Sequence, residues 1–249
     1  RNALLKSLAE NVIVPIYENL ATTTANLKLN VEAYNVAVQN STSDKSTKLT
    51  SAQNAWKATM LICQEAELLQ FGPAGSSTSV KGGQGIRDEI YSWPSVNTCR
   101  VDQEVVENVF SNSSFFSNEL VNSYGLDVLE YLLFNTNTTN SCSTAININT
   151  NGSWSALSST DVEQRRAAYA SVVAGNISDQ ATSISNNWKN SFSTNFSGAG
   201  NGAVYASAQE ALNDVMTGLF YIDTKVKDDK LVGPLGINSG GTVDVEVRE

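Results

Sequence analysis

Two carboxylates lie in the most apolar stretch of the sequence, Ser117 to Phe134, and their type and spacing suit the binding of a cation. Asp127 and Glu130 are three residues apart. On a helix, this spacing places two side chains on the same face. Because a buried carboxylate is costly unless it meets a cation, a hydrogen-bond donor or a metal, one interpretation of the pair is a site for a hard cation or a cationic ligand.

Two other interpretations of Asp127 and Glu130 stay open at the level of sequence. The carboxylates could face an arginine or lysine from another helix, or a narrow strip of solvent. They could also line a polar cleft that holds no ligand. Glu67 is a further candidate, near the end of the second predicted helix, and its alternative interpretation is an ordinary surface acid.

The sequence contains no histidine, which limits the chemistry that it can perform. Catalysis by Ser-His-Asp or Cys-His arrangements is excluded, as is zinc held by histidines. Chemistry in this chain must therefore use carboxylates, hydroxyls, Lys, Arg or Cys.

The charge balance also excludes classes of partner. The formal net charge is −9 and no basic stripe occurs, so nucleic-acid binding is not expected.

No run approaches the roughly 18–20 apolar residues of a membrane-spanning helix. The sequence begins at Arg1 without a signal-peptide pattern, which is expected of a processed product.

The three cysteines have different surroundings in the sequence. Cys63 lies in an apolar helical run and is expected to be a free, buried residue. Cys99 and Cys142 both lie in loop-like sequence, and we expect them to form a disulfide. A disulfide is typical of proteins in an oxidising compartment.

Apolar residues that recur every three or four positions predict long helices separated by polar or glycine-rich breaks. The predicted helices are Leu4–Val38, Leu49–Phe71, Asp102–Phe110, Ser117–Phe134, Thr160–Phe192 and Ala203–Lys230. Asp102 is expected to cap its helix, and a hairpin is the alternative considered around Ile146 and Ile148. Because helices dominate, the fold class is predicted to be all-α, an antiparallel helical bundle. Residues 1–159 are expected to form a first bundle region that carries Asp127 and Glu130, and residues 160–249 further helices and a glycine-rich tail belonging to a second bundle.

Six short segments, in order along almost the whole chain, resemble the imelysin family. They are Trp56, the run 67–74 (ELLQFGPA), the run 90–94 (IYSWP), the run 124–134 (YGLDVLEYLLF), Trp154 with the run 165–169 (RRAAY), and the run 234–236 (PLG). The resemblance implies a helical protein of the periplasm or outer-membrane surface of a bacterium, held at the membrane only through an N-terminal anchor that has been removed. Members of the family were first named as insulin-cleaving metallopeptidases and are often linked to iron uptake.

The hallmark of the family is a G-x-H-x-x-E motif, and this sequence departs from it at one position. Gly125 and Glu130 match the glycine and the glutamate, but Asp127 stands at the position of the histidine. The substitution argues against peptidase activity, because a carboxylate pair prefers hard, oxygen-seeking cations to zinc. The resemblance therefore implies a ligand-binding cleft with Gly125, Asp127 and Glu130 at its centre, and Glu67, Trp56 and Arg166 as its neighbours.

Three functions follow from these observations. The leading hypothesis is a non-catalytic binding or accessory protein of the bacterial envelope, linked to iron or metal uptake, whose partner is an envelope ligand or a component of iron uptake. A divalent or iron cation held by Asp127 and Glu130 is the cofactor this implies. The alternatives are a metal-dependent peptidase of the imelysin type and a structural surface protein, which the Ser-, Thr- and Asn-rich composition also fits.

Overall fold

A computed structural model describes residues 1–237, 240, 241 and 243, and within these residues the regular structure is helical, with no strand. The α-helices are α1 (Asn2–Leu8), α2 (Val14–Gln39), α3 (Lys45–Ala66), α4 (Ile86–Ile90), α5 (Thr98–Glu107), α6 (Phe115–Asn118), α7 (Leu126–Phe134), α8 (Asn147–Thr150), α9 (Ser159–Asn187), α10 (Ser193–Ser197), α11 (Ala208–Tyr221) and α12 (Gly233–Leu235). Segments of π-helix follow α1, α9 and α11 directly, at Ala9–Ile13, Trp188–Phe192 and Ile222–Val232. The predicted all-α class is confirmed.

Five of the six predicted helices exist with other first or last residues, whereas the predicted helix Ser117–Phe134 is divided into α6 and α7. The second ends at Ala66 rather than Phe71, and the chain then turns at Gly72, whose φ is +56°. The last begins at Ala208 rather than Ala203, where the Ser207 hydroxyl accepts a hydrogen bond from the Glu210 amide. A side-chain cap of this kind satisfies one of the amide groups that a helix start leaves without an internal partner.

Two local predictions are wrong. The region around Ile146 and Ile148 is not a hairpin but the short helix α8, on which Ile148 is buried. Asp102 does not cap a helix, because α5 begins four residues earlier and the Asn97 side chain caps it instead. Asp102 therefore lies in the middle of α5 and is fully buried.

Contacts divide the chain into two units that interleave along the sequence. The first comprises Arg1–Glu18, Cys63–Arg87 and Ser183–Glu249, and the second comprises Asn19–Ile62 and Asp88–Thr182. The division expected from sequence, between residues 159 and 160, stays a prediction. The end of the expected tail, residues 244–249, lies outside the described residues.

The core of the first unit is a cluster of aromatic rings. Trp188 packs edge-on against Phe71, Phe192 and Phe196, with ring centroids 4.8–5.9 Å apart. Tyr17 stacks on the same indole and donates a hydrogen bond of 2.9 Å to the carbonyl of Leu69. Offset and edge-on ring pairs of this kind stabilise a core beyond the area that they bury.

The core of the second unit forms around α7. Leu126, Leu129 and Leu133 are buried, as the sequence predicts. In the same unit, Tyr169 of α9 stacks on Phe110 with centroids 4.7 Å apart. None of the helices in the described part of the chain combines the length and the apolar character that crossing a membrane requires.

Candidate functional site

Gly125 lies at the start of α7. The predicted helix Ser117–Phe134 would have placed it in the interior of a helix. Its φ is +99°, and a Cβ atom placed on it would lie 3.1 Å from the carbonyl oxygen of Ile90. Side chains of L-amino acids disfavour this φ, and the approach to Ile90 leaves little room for one. The glycine therefore allows the chain to turn into the helix while passing close to α4.

Asp127 consequently lies in the first turn of α7, where 6% of it is exposed. The positive end of the helix dipole favours a carboxylate at this position. Glu130 is half-buried one turn later on the same helix. The predicted side-by-side placement of the two carboxylates on a helix is thus retained, close to the helix start.

Trp56 contacts the backbone at the start of α7, between Gly125 and Asp127. Its indole nitrogen donates a hydrogen bond of 2.9 Å to the carbonyl of Leu126, and its ring packs edge-on against Phe134 at the other end of α7. Trp56 is 4% exposed. It positions α7 through the backbone.

Arg166 of α9 binds the chain segment that follows α7. Its guanidinium pairs with Asp102 at 3.0 Å and donates to the carbonyl oxygens of Asn137 and Thr139. The rings of Tyr131 and Trp154 lie 5.6 and 5.7 Å from it. A planar cation with several donors suits this role, because it satisfies a carboxylate and the backbone of a loop together.

Asp102 is the residue of this network that the sequence prediction missed. Besides Arg166, it accepts hydrogen bonds from the Tyr131 hydroxyl at 2.8 Å and from the Ser141 amide at 2.7 Å. Burial and the neighbouring carboxylate of Asp102 raise the pKa of Tyr131 to about 12. The sequence signal that could have indicated its burial is the position of Asp102 beside Val101, within a helix whose buried residues include both.

Cys99 and Cys142 form the expected disulfide, and Cys63 is free and buried. The bridge joins α5 to the end of the segment 135–142 that Arg166 and Asp102 also hold. Three separate constraints therefore fix this segment within the second unit.

Glu67 belongs to the first unit, and its interpretation as an ordinary surface acid is wrong. It is 3% exposed and accepts hydrogen bonds from the Tyr221 hydroxyl at 2.5 Å and from the Lys230 ammonium at 2.7 Å. A guanidinium nitrogen of Arg87 lies 3.7 Å from the Glu67 carboxylate. Burial and the adjacent carboxylate raise the pKa of Tyr221, whose hydroxyl donates to Glu67. Glu67 thereby joins the end of α3 to the C-terminal helices.

A second cluster that the sequence prediction missed surrounds Arg100 on α5. Its guanidinium contacts the buried Glu104 and also Glu107 and Glu119, at 3.0 and 2.8 Å. Burial raises the pKa of Glu104 to about 7, and the neighbouring glutamates add to the effect while Arg100 opposes it. One cation is thus shared among three carboxylates.

The donor set decides which metals these residues could hold. Asp127 and Glu130 offer two carboxylates, and a hard cation accepts such ligands with water completing its shell. In the part of the chain that the structure describes, no three side chains of His, Cys, Asp or Glu are grouped to hold a metal ion. A catalytic zinc takes three protein ligands, so these residues do not fit one.

Comparison with known proteins gives one match. The model of the family described as Imelysin matches residues 13–248. Neither the search of curated proteins nor that of solved structures found a match.

Proposed function

We propose a function from the premise that this chain belongs to the imelysin family, whose model covers nearly all of it. The protein is a non-catalytic binding or accessory protein of the bacterial cell envelope, linked to the uptake of iron or another metal. Its ligand-binding residues are those around the start of α7, with Asp127 and Glu130 as the groups that meet the ligand.

The observation that carries this proposal is the carboxylate of Asp127, in the first turn of α7 next to Gly125. The family motif has a histidine at this position, and the sequence has no histidine anywhere. The glycine turn and the Trp56 hydrogen bond keep the backbone at this place, while the ligand chemistry has changed from nitrogen to oxygen. The combination supports binding of a hard cation or a cationic group over zinc-dependent hydrolysis.

The location in the envelope is supported by the cysteines. The disulfide between Cys99 and Cys142 would be reduced in a bacterial cytosol and is stable in an oxidising compartment. The periplasm and the outer-membrane surface both satisfy this condition. The link to iron uptake rests on the family resemblance.

Metal binding is tested by isothermal titration of the purified chain with Fe, Mn, Ca and Zn ions. We expect a hard cation to bind and the double variant Asp127→Ala, Glu130→Ala to lose that binding. The matched control is Asp223→Ala with Asp229→Ala, which removes two exposed carboxylates paired with lysines. Equal binding by the motif variant and the control variant would contradict the proposal.

Peptidase activity is tested separately, with insulin and an unfolded polypeptide as substrates and added zinc. The proposal expects no cleavage above the level of a buffer control. Cleavage that a chelator stops and that Glu130→Ala abolishes would replace the binding function with a peptidase function.

A further inference from the structure

A cavity of about 300 Å³ lies in the second unit, beyond the end of α7. Leu132, Leu133 and Val162 form its apolar floor and are buried. Its volume is at the lower end of the range of about 300–1,000 Å³ that small-molecule sites occupy. The motif residues Asp127 and Glu130 do not line it.

The rim of this cavity is formed by hydroxyl groups. Thr136 and Thr138 follow α7, and Ser159 and Thr160 begin α9; all four are exposed and line the cavity. None of these four hydroxyls has a hydrogen-bond partner among the described residues. Each hydroxyl can both donate and accept, so the rim offers several hydrogen bonds of either kind to a ligand.

Three further groups that line the cavity, Arg166, Glu163 and Tyr34, add polar contacts without adding net charge. Arg166 is 5% exposed, and its Nε atom is buried with no hydrogen-bond partner, although its terminal nitrogens are bound to Asp102 and to carbonyls. Glu163 is already held by Lys45 at 2.7 Å. Burial and Glu163 raise the pKa of Tyr34 to about 12, and its hydroxyl is a neutral group that can both donate and accept hydrogen bonds.

The charges in the wall are therefore paired, while several hydroxyls and one buried N–H group remain available. A charged ligand would have to compete with Asp102 for Arg166 or with Lys45 for Glu163. A neutral molecule with many hydroxyl groups can instead bond the rim and place its C–H face on the leucines. We propose that this cavity binds a small neutral polyhydroxylated molecule of the size of a monosaccharide.

The wall of the cavity is held in place before any ligand arrives. Arg166 binds the carbonyls of Asn137 and Thr139, and the Trp154 indole donates to the carbonyl of Thr138 at 3.2 Å. The disulfide at Cys142, three residues after Thr139, fixes the same segment. Because the wall is already ordered, less conformational entropy is lost when a ligand binds. The site is independent of the metal-binding function proposed above.

The test uses D-glucose, D-galactose and N-acetyl-D-glucosamine as probes, measured by saturation-transfer NMR on the intact chain up to high-millimolar concentration. We expect at least one sugar to bind. Thr160→Trp places a bulky side chain on the rim, and the double variant Thr136→Val, Thr138→Val removes two hydroxyls at similar volume. Both should weaken binding at least about tenfold, because the hydrogen bonds of the sugar are then lost or obstructed.

Thr144 supplies the matched controls, since it is an exposed threonine of the same unit that does not line the cavity. Thr144→Trp and Thr144→Val should bind the sugar as the unaltered chain does. Citrate, phosphate and spermidine serve as charged probes. Binding of a charged probe in place of the sugars, sugar binding that neither rim variant weakens, or no binding of any of the three sugars would overturn the proposal.

Discussion

The indole nitrogen of Trp56 donates a hydrogen bond of 2.9 Å to the carbonyl oxygen of Leu126, the residue between Gly125 and Asp127. This contact fixes the first residue of α7 against α3. On the other side, Gly125 passes close to the carbonyl of Ile90. The position of the Asp127 carboxylate is therefore set by backbone contacts of its two preceding residues, which are independent of the side chain at position 127.

The first prediction concerns the close passage at Gly125. The substitution Gly125→Ala should lower the free energy of unfolding by about 1–3 kcal/mol, because alanine disfavours a φ of +99° and its methyl group would press on Ile90. Urea unfolding monitored by circular dichroism measures the effect.

Gly175 provides the matched control for this prediction. It lies inside α9, and a Cβ atom placed on it would have no atom within 4 Å. Gly175→Ala should stabilise the chain by about 0.4–1 kcal/mol through the unfolded state and helix propensity. Equal effects of the two substitutions would show that the turn at Gly125 does not require glycine.

The second prediction concerns the buried pair of Arg166 and Asp102. Asp102→Asn should lower the free energy of unfolding by about 3–5 kcal/mol, because the guanidinium would keep its burial and lose its countercharge. The exposed pair of Lys189 and Glu18 is the comparison, and Glu18→Gln should cost at most about 1 kcal/mol. Similar losses in the two variants would contradict the structural role assigned to Asp102.

The periodicity of the sequence identifies the long helices well, because an apolar residue every three or four positions matches the repeat of a helix and not the alternation of a strand. Leu126, Leu129 and Leu133 are buried as that pattern requires. Helix ends are predicted less well, because they depend on contacts with distant residues. The predicted helix 117–134 already ends at Asn118, and α7 begins only after Gly125, whose close approach to Ile90 no local pattern encodes.

The partners of buried charges are the other part that sequence could not supply. Glu67 meets Lys230, which lies 163 residues away along the chain, and Asp102 meets Arg166 across 64 residues. Spacing within one helix can predict that two carboxylates share a face, as for Asp127 and Glu130. It cannot predict which cation another helix brings to a single buried acid.

The third prediction concerns the pH dependence of stability through Glu104. Its pKa in the folded chain is raised to about 7 from an ordinary value of 4.5. The folded state thus holds the proton more tightly than the unfolded state, and the stability this contributes is present below pH 4.5 and is lost as the pH rises through 7. We expect the free energy of unfolding to fall by about 1–3 kcal/mol from about pH 5 to about pH 8 because of this group.

The variant Glu104→Gln isolates this contribution. It should be more stable than the unaltered chain at about pH 8, and its unfolding energy should change less between the two pH values. Glu107→Gln is the control, because Glu107 contacts the same arginine but is exposed. A pH dependence that is unchanged in Glu104→Gln would rule out Glu104 as its source.

The fourth prediction concerns the disulfide. Reduction of Cys99–Cys142 should lower the free energy of unfolding by about 3–4 kcal/mol, since the bridge closes a loop with a sequence separation of 43 residues. Thermal unfolding with and without a reductant measures this, and Cys63→Ala controls for thiol–disulfide exchange with the free thiol. A melting temperature that the reductant does not change would contradict the prediction.

The fifth prediction concerns the residue at which this chain departs from its family. Asp127→His restores the G-x-H-x-x-E pattern at a backbone that Trp56 and Gly125 already hold in place. The change removes a negative charge and adds a nitrogen ligand, so affinity should move from hard cations toward zinc. Isothermal titration with Ca, Mn and Zn ions would show the shift.

Asp223→His is the matched control for this exchange, because Asp223 is an exposed aspartate paired with Lys227. We expect its metal affinities to change less than those of Asp127→His. The described residues still provide no third ligand beside Asp127 and Glu130. The restored histidine should therefore increase zinc binding without producing cleavage of insulin. A zinc affinity that rises equally in both variants would show that position 127 has no special access to metal ions. Cleavage by Asp127→His would show instead that one substitution separates this chain from a peptidase.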